Sequence, residues 1–247
     1  MDVYVINLDS QTDRLETMRR RVPGLKRIAA VNGWALAPDV LSRGRHFPCG
    51  YDLSPPEIGC LMSHRAAWTA LIESGKPCGC VLEDDVLIAP DFTRLMAEDD
   101  WLPAAYDIVK IETTQKGILL DRLPAGRVEN RKLHRLRSRH LAAGGYIVSR
   151  AGAEKLLALS ETFPYPVDVL MFDHRVPEFW QLHIYQMTPA LCVQAPYIGI
   201  HQSDSTIRDH RGRKPKHTLR HRLAKRLHDM KSWAMRPLNR SLSVPFA

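Results

Sequence analysis

The sequence predicts an α/β fold with a mostly parallel sheet flanked by helices. Residues 3–8 form a short apolar run rich in β-branched side chains, which is typical of a buried strand. A helical pattern follows at residues 12–21, and a second strand pattern follows at residues 25–31. Strand, helix and strand in this order predict a right-handed βαβ unit of a parallel sheet. The chain has 247 residues, 45% of them hydrophobic, which suffices for one large domain or two small ones.

The third predicted strand carries the most informative motif of the chain. A helix begins at Ser54-Pro55-Pro56-Glu57, where Ser54 is the N-cap and Glu57 can complete a capping box. The strand at residues 78–82 follows this helix, and Glu83-Asp84-Asp85 stands at its carboxyl end. Ligands of open α/β sheets bind beyond the carboxyl ends of the strands, so we expect a nucleotide site here.

The three adjacent carboxylates favour a divalent metal site. Burial of three negative charges between apolar runs costs free energy of folding unless a cation neutralises them. Mg²⁺ and Mn²⁺ prefer oxygen ligands and leave coordination positions open for substrate phosphates. The alternative is a solvated acidic turn, and the apolar residues on both sides, 78–82 and 86–89, argue against it.

The remaining elements are predicted from shorter patterns. Residues 34–53 are expected to form a loop, and the basic stretch 114–140 an irregular surface loop or hairpin. Helices are predicted at residues 91–97, 151–159 and 167–176, and strands at residues 107–111, 146–149, 184–187 and 190–194.

The positive charge of the chain is concentrated near its end. The net charge is +8, but residues 208–240 hold twelve Lys and Arg against two acidic residues, so the remainder is close to neutral. We therefore divide the chain into a domain at residues 1–207 and a basic tail at residues 208–247, with an amphipathic helix at 218–233. The tail points to an anionic partner: a lipid headgroup surface, a phosphorylated glycan or nucleic acid. Its helix either lies on an anionic membrane or packs on the protein's own core.

Two further features concern the cellular compartment. The five cysteines show no C-x-x-C or other metal-ligand spacing, which favours reduced thiols in a cytosolic protein. The first residues form a strand pattern without a basic leader, so no signal peptide is expected. No apolar run reaches the length of a membrane span. We therefore expect a cytoplasmic protein.

Five segments of the chain form a recognisable set. They are Val5-Ile6-Asn7-Leu8 with Asp13-Arg14, Glu57-Ile58-Gly59-Cys60-Leu61-Met62-Ser63-His64, Leu82-Glu83-Asp84-Asp85-Val86, Gly144-Gly145-Tyr146-Ile147-Val148-Ser149 with Gly152-Ala153, and Pro166-Val167-Asp168. In this order and spacing they resemble glycosyltransferase family 25, the lipooligosaccharide-type galactosyltransferases with relatives that glycosylate collagen. The resemblance covers about residues 1–205 and leaves the basic tail outside. At Asn32-Gly33 the chain departs from the Asp-Gly that the family tends to have.

This resemblance implies a GT-A type fold, a Rossmann-like sheet that binds a nucleotide sugar, most often UDP-galactose. It also implies a divalent metal, usually Mn²⁺ with Mg²⁺ as the alternative, and transfer with inversion to a saccharide hydroxyl. Family members that act on lipooligosaccharide work at the cytoplasmic face of the inner membrane, so a glycolipid acceptor and a peripheral membrane location are implied here. Each Lys or Arg of the tail that lies near an anionic leaflet would contribute roughly 1 kcal/mol to the free energy of membrane binding.

The resemblance also suggests metal ligands. Asp85 is the first candidate, and Asp84 is the second, acting through water or the donor ribose, whereas Glu83 is expected to cap a neighbouring backbone group. His201 resembles the C-terminal histidine with which GT-A enzymes often complete the metal shell, and its alternative is an ordinary loop histidine. The metal would act as a Lewis acid on the diphosphate oxygens as UDP leaves.

A further set of residues is expected to bind the donor or the acceptor. Each has a local alternative, such as a strand end, a capping box, a buried hydrogen-bonded histidine or a simple turn. The two glycines would let the backbone approach the donor sugar closely. The candidates are Asn7, Asp13, Arg14, Asn32, Glu57, His64, Asp84, Gly144 and Gly145.

An inverting transfer also needs a general base. A carboxylate takes the proton of the acceptor hydroxyl as its oxygen attacks the anomeric carbon. Asp168, which follows the rigid turn Pro164-Tyr165-Pro166, is the candidate, with Asp173 in reserve. The alternative role of Asp168 is that of an N-cap.

Two other functions stay open at this point. A metal-dependent nucleotidyltransferase would use the same carboxylates, and a non-enzymatic protein would bind membrane or nucleic acid through the tail, with nucleic acid the less favoured partner. No Walker-type G-x-x-x-x-G-K-[ST] motif occurs, which disfavours a P-loop nucleotide hydrolase. Deletion of residues 208–247 is expected to spare activity on soluble substrates in a glycosyltransferase and to abolish the function of a tail-driven binder.

Overall fold

The computed structural model describes residues 1–44, 52–200 and 239–246 and confirms the α/β class. The strands in this part of the chain are β1 (Asp2–Asn7), β2 (Lys26–Ala29), β3 (Cys78–Glu83), β4 (Val86–Ile88), β5 (Ile108–Lys110), β6 (Glu112–Thr113), β7 (Gly117–Asp121), β8 (Gly126–Val128), β9 (Arg131–Arg135), β10 (Gly145–Ser149), β11 (Ile184–Thr188), β12 (Cys192–Gln194) and β13 (Asn239–Ser243). The α-helices are α1 (Thr12–Arg21), α2 (Pro38–Ser42), α3 (Pro55–Glu73), α4 (Phe92–Ala97), α5 (Arg150–Leu159) and α6 (Val167–Phe172). Short 3₁₀ helices cover Gly33–Ala35, Pro177–Gln181 and Ala195–Ile198.

Eight of the strands form a central sheet in the order β2-β1-β3-β10-β5-β11-β9-β8. β1 is parallel to both β2 and β3, as the predicted βαβ unit requires. β10 runs antiparallel to both of its neighbours, β3 and β5, and β9 runs antiparallel to β11 and β8. The other six strands therefore share one direction, and the carboxyl ends of β1 and β3 meet at the same edge of the sheet.

The sheet separates two hydrophobic cores. Tyr4 and Ile6 of β1 belong to the core that includes Trp68 of α3, whereas Val3 and Val5 belong to the core on the opposite face. Alternate residues of a strand point to opposite faces, so burial of both faces explains why β1 is apolar along its length.

Two stretches predicted as irregular contain regular elements. Residues 114–140 include β7, β8 and β9. Because β8 pairs antiparallel with β9, the predicted hairpin is confirmed there and the alternative of an irregular loop is wrong. The strand pattern of β9 is hidden by basic residues, because Arg131 is only 2% exposed and its guanidinium lies 2.8 Å from Asp91. In the described part of the stretch 34–53, helix α2 takes the place of a loop.

The end of the chain returns to the folded body. β13 pairs antiparallel with β7, and Val244 is fully buried in the core that includes Trp68. Deletion of residues 208–247 would therefore remove a strand and a core side chain, so the tail deletion suggested by the sequence is not a clean test. The predicted helix at residues 218–233 and His201 lie outside the described residues. None of the helices in the described ranges is both long enough and apolar enough to cross a membrane.

Candidate functional site

A cavity of about 710 Å³ lies at the carboxyl ends of β1 and β3. Its lining includes Glu83, Asp84 and Asp85, so the acidic motif is found at the edge of the sheet where the fold predicts a ligand. Four other residues predicted for the site also line this cavity: Arg14, Asn32, Glu57 and Asp168.

Asn7 connects the end of β1 to the acidic motif. Its Nδ2 donates to Asp84 Oδ2 at 2.6 Å and to the carbonyl oxygen of Gln11 at 2.8 Å. Arg27 Nε donates to Asn7 Oδ1 at 3.1 Å, so both ends of the amide are held. Arg14 lies 3.4 Å from the other carboxylate oxygen of Asp84. Because Asn7 is only 2% exposed, it positions Asp84 from beneath the cavity surface.

Gln194, at the end of β12, joins the other two carboxylates. Its Nε2 donates to Glu83 Oε2 at 2.9 Å and lies 3.2 Å from Asp85 Oδ1. Desolvation, with the negative charge of Asp84 acting in the same direction, raises the pKa of Glu83 to about 7. Desolvation and then the charge of Glu83 raise the pKa of Asp85 to about 7 as well. Both carboxyl groups are thus partly protonated near neutral pH unless a cation offsets their charge.

A buried chain of hydrogen bonds supports Glu83 from behind. Trp68 Nε1 donates to the Tyr146 hydroxyl at 2.7 Å, and His64 Nδ1 lies 2.9 Å from the same oxygen. Burial lowers the pKa of His64 to about 3, so its ring is neutral. His64 Nε2 lies 3.4 Å from Glu83 Oε1, so the neutral ring links the Tyr146 hydroxyl to the Glu83 carboxyl group. The Glu83 carboxylate therefore bonds to side chains, and the predicted backbone-capping role is wrong.

Gly144 and Gly145 face protein groups and do not line the cavity. A Cβ on Gly144 would lie 2.9 Å from Glu112 Oε1, and a Cβ on Gly145 would lie 2.2 Å from Cys192 Sγ. Glu112 is fully buried, pairs with Lys110 at 3.0 Å and accepts from the Gly144 N–H at 3.0 Å. Burial raises the pKa of Glu112 to about 7 against the opposing charge of Lys110. Packing against Glu112 and Cys192 explains both glycines without a donor sugar.

Asp168 reaches the cavity from the first turn of α6. It is 8% exposed, and its Oδ2 accepts from the Ala142 N–H at 3.4 Å. The N-cap of α6 is Pro166, so Asp168 does not serve as the cap.

Asp173 follows the end of the same helix and is 1% exposed. Arg175 Nε donates to its carboxylate at 2.8 Å, and Arg139 Nε lies 3.3 Å from it. Asp173 does not line the cavity, so the structure does not bring the reserve base to the site.

The remaining predicted residues have local roles as well. Asp13 is exposed on α1 and does not line the cavity. Asn32 accepts through Oδ1 from the Trp34 N–H at 3.1 Å and caps a 3₁₀ helix. Glu57 accepts from the Ser54 N–H at 2.9 Å, which confirms the capping box, although Glu57 also lines the cavity.

The ligand chemistry of the motif suits a hard divalent cation. The three carboxylates offer oxygen atoms only. Burial, and then the charge of a neighbouring carboxylate, raises the pKa of Glu83 and of Asp85, and a bound cation would offset that charge. Cys60, His64 and Glu83 also place one ligand atom each within 4.8 Å of one another. Both His64 nitrogens are engaged in the hydrogen-bonded chain, and desolvation raises the pKa of the Cys60 thiol well above its ordinary value. Asp84 and Asp85 are therefore the better candidates to hold a metal.

Sequence reasoning missed several polar residues of the site. Gln194 lies 109 residues after Asp85 and ends an apolar strand, so no local pattern marks it. Lys116, which also lines the cavity, falls in the stretch predicted as irregular. Lys110 and Glu112 did carry a signal, because two charged residues inside an otherwise apolar run indicate a buried ion pair.

Comparison with known proteins adds independent findings. A sequence model of a family described as Glycosyltransferase family 25 (LPS biosynthesis protein) matches residues 1–171. The lacto-N-neotetraose biosynthesis glycosyltransferase LgtE of Neisseria meningitidis serogroup B is 34% identical over 151 residues, which are 58% of this chain and 54% of LgtE. LgtB of the same organism is 31% identical over 202 residues, or 71% of each protein. The lipooligosaccharide biosynthesis protein lic2B of Haemophilus influenzae is 29% identical over 58% of this chain and 55% of its own length. The matched region thus spans little more than half of LgtE and of lic2B.

Proposed function

The chain belongs to glycosyltransferase family 25, and we propose that it transfers galactose from UDP-galactose to a saccharide hydroxyl. In this proposal the acceptor is a sugar of lipooligosaccharide, LPS or a related surface glycan. The names of LgtE, LgtB and lic2B, which refer to lacto-N-neotetraose or lipooligosaccharide biosynthesis, support this acceptor class. The observation that carries the proposal is the convergence of the acidic motif and Asp168 on one cavity.

The acidic motif Glu83-Asp84-Asp85 is the proposed binding site for the metal and the diphosphate of the donor. Asp85 and Asp84 are the proposed ligands of Mn²⁺ or Mg²⁺, which when bound offsets the negative charge of the diphosphate. Asn7 fixes the orientation of Asp84, and Gln194 holds Asp85 beside Glu83. These bonds prepare the carboxylates before substrate arrives, so little reorganisation is needed during the reaction.

Asp168 is the proposed general base. The acceptor hydroxyl gives its proton to the Asp168 carboxylate while its oxygen forms a bond to the anomeric carbon of the donor. The bond between that carbon and the diphosphate oxygen breaks, and UDP leaves with the electron pair. Attack on the face opposite UDP inverts the configuration, so an α-linked donor gives a β-linked product.

The membrane location remains part of the proposal. Residues 208–240 carry twelve Lys and Arg against two acidic residues, a charge that suits the anionic cytoplasmic leaflet of an inner membrane. Membership of a glycosyltransferase family argues against the nucleotidyltransferase and the non-enzymatic binding protein considered above.

Release of UDP from a panel of sugar nucleotides tests this function. The wild-type protein, Asp85→Ala and the exposed-carboxylate control Asp100→Ala are each assayed with Mn²⁺ and with EDTA. We expect release from UDP-galactose that EDTA and Asp85→Ala abolish and that Asp100→Ala leaves unchanged. Release that is equal in EDTA would contradict the metal site, and no release from any donor would contradict the transferase.

A further inference from the structure

Lys116 differs from the other cations of the cavity. Arg14 lies 3.4 Å from Asp84, and Arg139 lies 3.3 Å from Asp173, so both guanidinium groups already pair with carboxylates. Lys116 also lines the cavity, is exposed and has no carboxylate partner among residues 1–44, 52–200 and 239–246. A cation without an anionic partner in a cavity lined by acidic residues is suited to an anionic ligand.

The backbone that presents Lys116 is held in an unfavourable conformation. Gln115 has a φ of 57°, in the left-handed region that non-glycine residues avoid. Its N–H donates to Thr113 Oγ1 at 2.9 Å, and the Thr113 hydroxyl donates to the carbonyl oxygen of Val244 at 2.6 Å. Ser243 Oγ donates to the carbonyl oxygen of Gln115 at 2.6 Å. Residues 243 and 244 thus supply two of the bonds that anchor this turn, and the Thr114 N–H donates to His140 Nε2 at 3.2 Å.

The segment at residues 239–246 is firmly attached to the domain. β13 pairs with β7 in a register that sets Ser243 opposite Gly117, the residue after Lys116. Beyond the strand, Val244 is fully buried and the Ala190 N–H donates to the carbonyl oxygen of Pro245 at 2.8 Å. This segment lies after residues 1–171, the part of the chain that the family model matches.

We propose that Lys116 binds the diphosphate of the nucleotide donor and that residues 239–246 hold Lys116 in place for this purpose. The inference rests on the proposed function and deepens it. A lysine ammonium is a compact charge with three donors and is a common ligand of phosphate oxygens. As the bond to the anomeric carbon breaks, negative charge grows on the departing diphosphate, and the ammonium stabilises it. Ser243 and Thr113 are positioning residues in this arrangement.

Calorimetric binding of UDP and of uridine to the full-length chain, with Mn²⁺ present, tests the inference. Lys116→Ala is expected to weaken UDP binding about tenfold, as for loss of one charge-assisted hydrogen bond, and to leave uridine binding unchanged. The control Lys76→Ala removes the same charge just before β3, at the end of the strand opposite the motif, and should bind both ligands normally.

The role of residues 239–246 is tested by Ser243→Ala, with Ser241→Ala as the control on the same strand. We expect Ser243→Ala to weaken UDP binding, and to add nothing when combined with Lys116→Ala, because its effect passes through Lys116. Full additivity of the two substitutions would overturn the positioning role. Normal UDP binding by Lys116→Ala would overturn the inference and leave the proposed function intact, whereas a wild-type protein that binds no UDP would overturn the proposed function itself.

Discussion

Asn7 Nδ2 lies 2.6 Å from Asp84 Oδ2 and joins the ends of two parallel strands across 77 residues of sequence. The contact exists because β1 and β3 are neighbours that run in the same direction, so the residues that end them share one edge of the sheet. Arg27 holds the other end of the Asn7 amide, so the orientation of Asp84 is set by the sheet itself. Hydrogen bonds from β1 thus hold Asp84 at this edge of the sheet.

Asn7→Ala tests this coupling. The substitution removes the donor to Asp84 and leaves Arg27 without one partner, so we expect UDP binding in Mn²⁺ to weaken about tenfold and the free energy of unfolding to fall by about 1–2 kcal/mol. Calorimetry and urea unfolding measure the two effects. Asn130→Ala, at an exposed turn residue, should change neither, and unaltered UDP binding by Asn7→Ala would count against the positioning of Asp84 by Asn7.

Substitutions of Asp168, in α6, and of Asp173, just after α6, should separate an effect on catalysis from an effect on stability. Asp168→Asn removes the proposed base from the cavity, so we expect kcat to fall about 10²–10⁴-fold with the melting temperature unchanged. Asp173→Asn weakens the bonds of this buried carboxylate to the partly exposed Arg175 and Arg139, so we expect a loss of about 2 kcal/mol in the free energy of unfolding. Steady-state kinetics and thermal unfolding of both variants make the comparison. A normal kcat in Asp168→Asn would remove Asp168 from the reaction.

The pKa of Glu83 and of Asp85 predicts how stability depends on pH. Both values are raised to about 7, so the folded state without metal holds these protons more tightly than the unfolded chain does. Their contribution to stability is fully present below the pKa of the unfolded carboxyl groups, near 4, and is lost as pH rises through about 7. Thermal unfolding in EDTA should therefore give a lower melting temperature at pH 8 than at pH 6.

Mn²⁺ should reverse this trend, because it binds the ionised carboxylates. We expect the rise in melting temperature on adding Mn²⁺ to be larger at pH 8 than at pH 6. Asp85→Asn, which cannot ionise, should lose most of this difference. A rise that is the same at both pH values and in both proteins would show that the metal binds elsewhere.

Gly145 and Cys192 should behave as a coupled pair. Because a Cβ on Gly145 would lie 2.2 Å from Cys192 Sγ, Gly145→Ala is expected to cost about 1–3 kcal/mol of unfolding free energy. Cys192→Ala removes that sulfur, so the double variant should be more stable than the sum of the single changes predicts. Urea unfolding of the three variants measures the coupling. Gly117→Ala, where the nearest atom is Ser241 Oγ at 3.8 Å, is the tolerated control, and strict additivity would contradict the packing role of Gly145.

The sequence predicts those parts of the site that depend on strand order. Asn7 and the acidic motif come at the ends of apolar runs. Because the carboxyl ends of neighbouring parallel strands lie at one edge of the sheet, the sequence predicts that these residues are close together. Gln194 and Lys116 could not be found this way, because their positions depend on β12 and on the pairing of β7 with β13. The predicted approach of Gly144 and Gly145 to the donor sugar fails for a similar reason. A close backbone approach is correctly indicated, but the group approached is a buried side chain, and only the tertiary structure identifies it.

The most direct test is to characterise the product of the reaction. The wild-type protein is incubated with Mn²⁺, UDP-galactose and a panel of short saccharide acceptors, and any product is analysed by NMR for its anomeric linkage. We predict a new β-linked galactose and one UDP released for each linkage formed. An α-linked product would contradict the inverting role of Asp168, and the absence of any product with every UDP-sugar and acceptor would contradict the proposed glycosyltransferase activity.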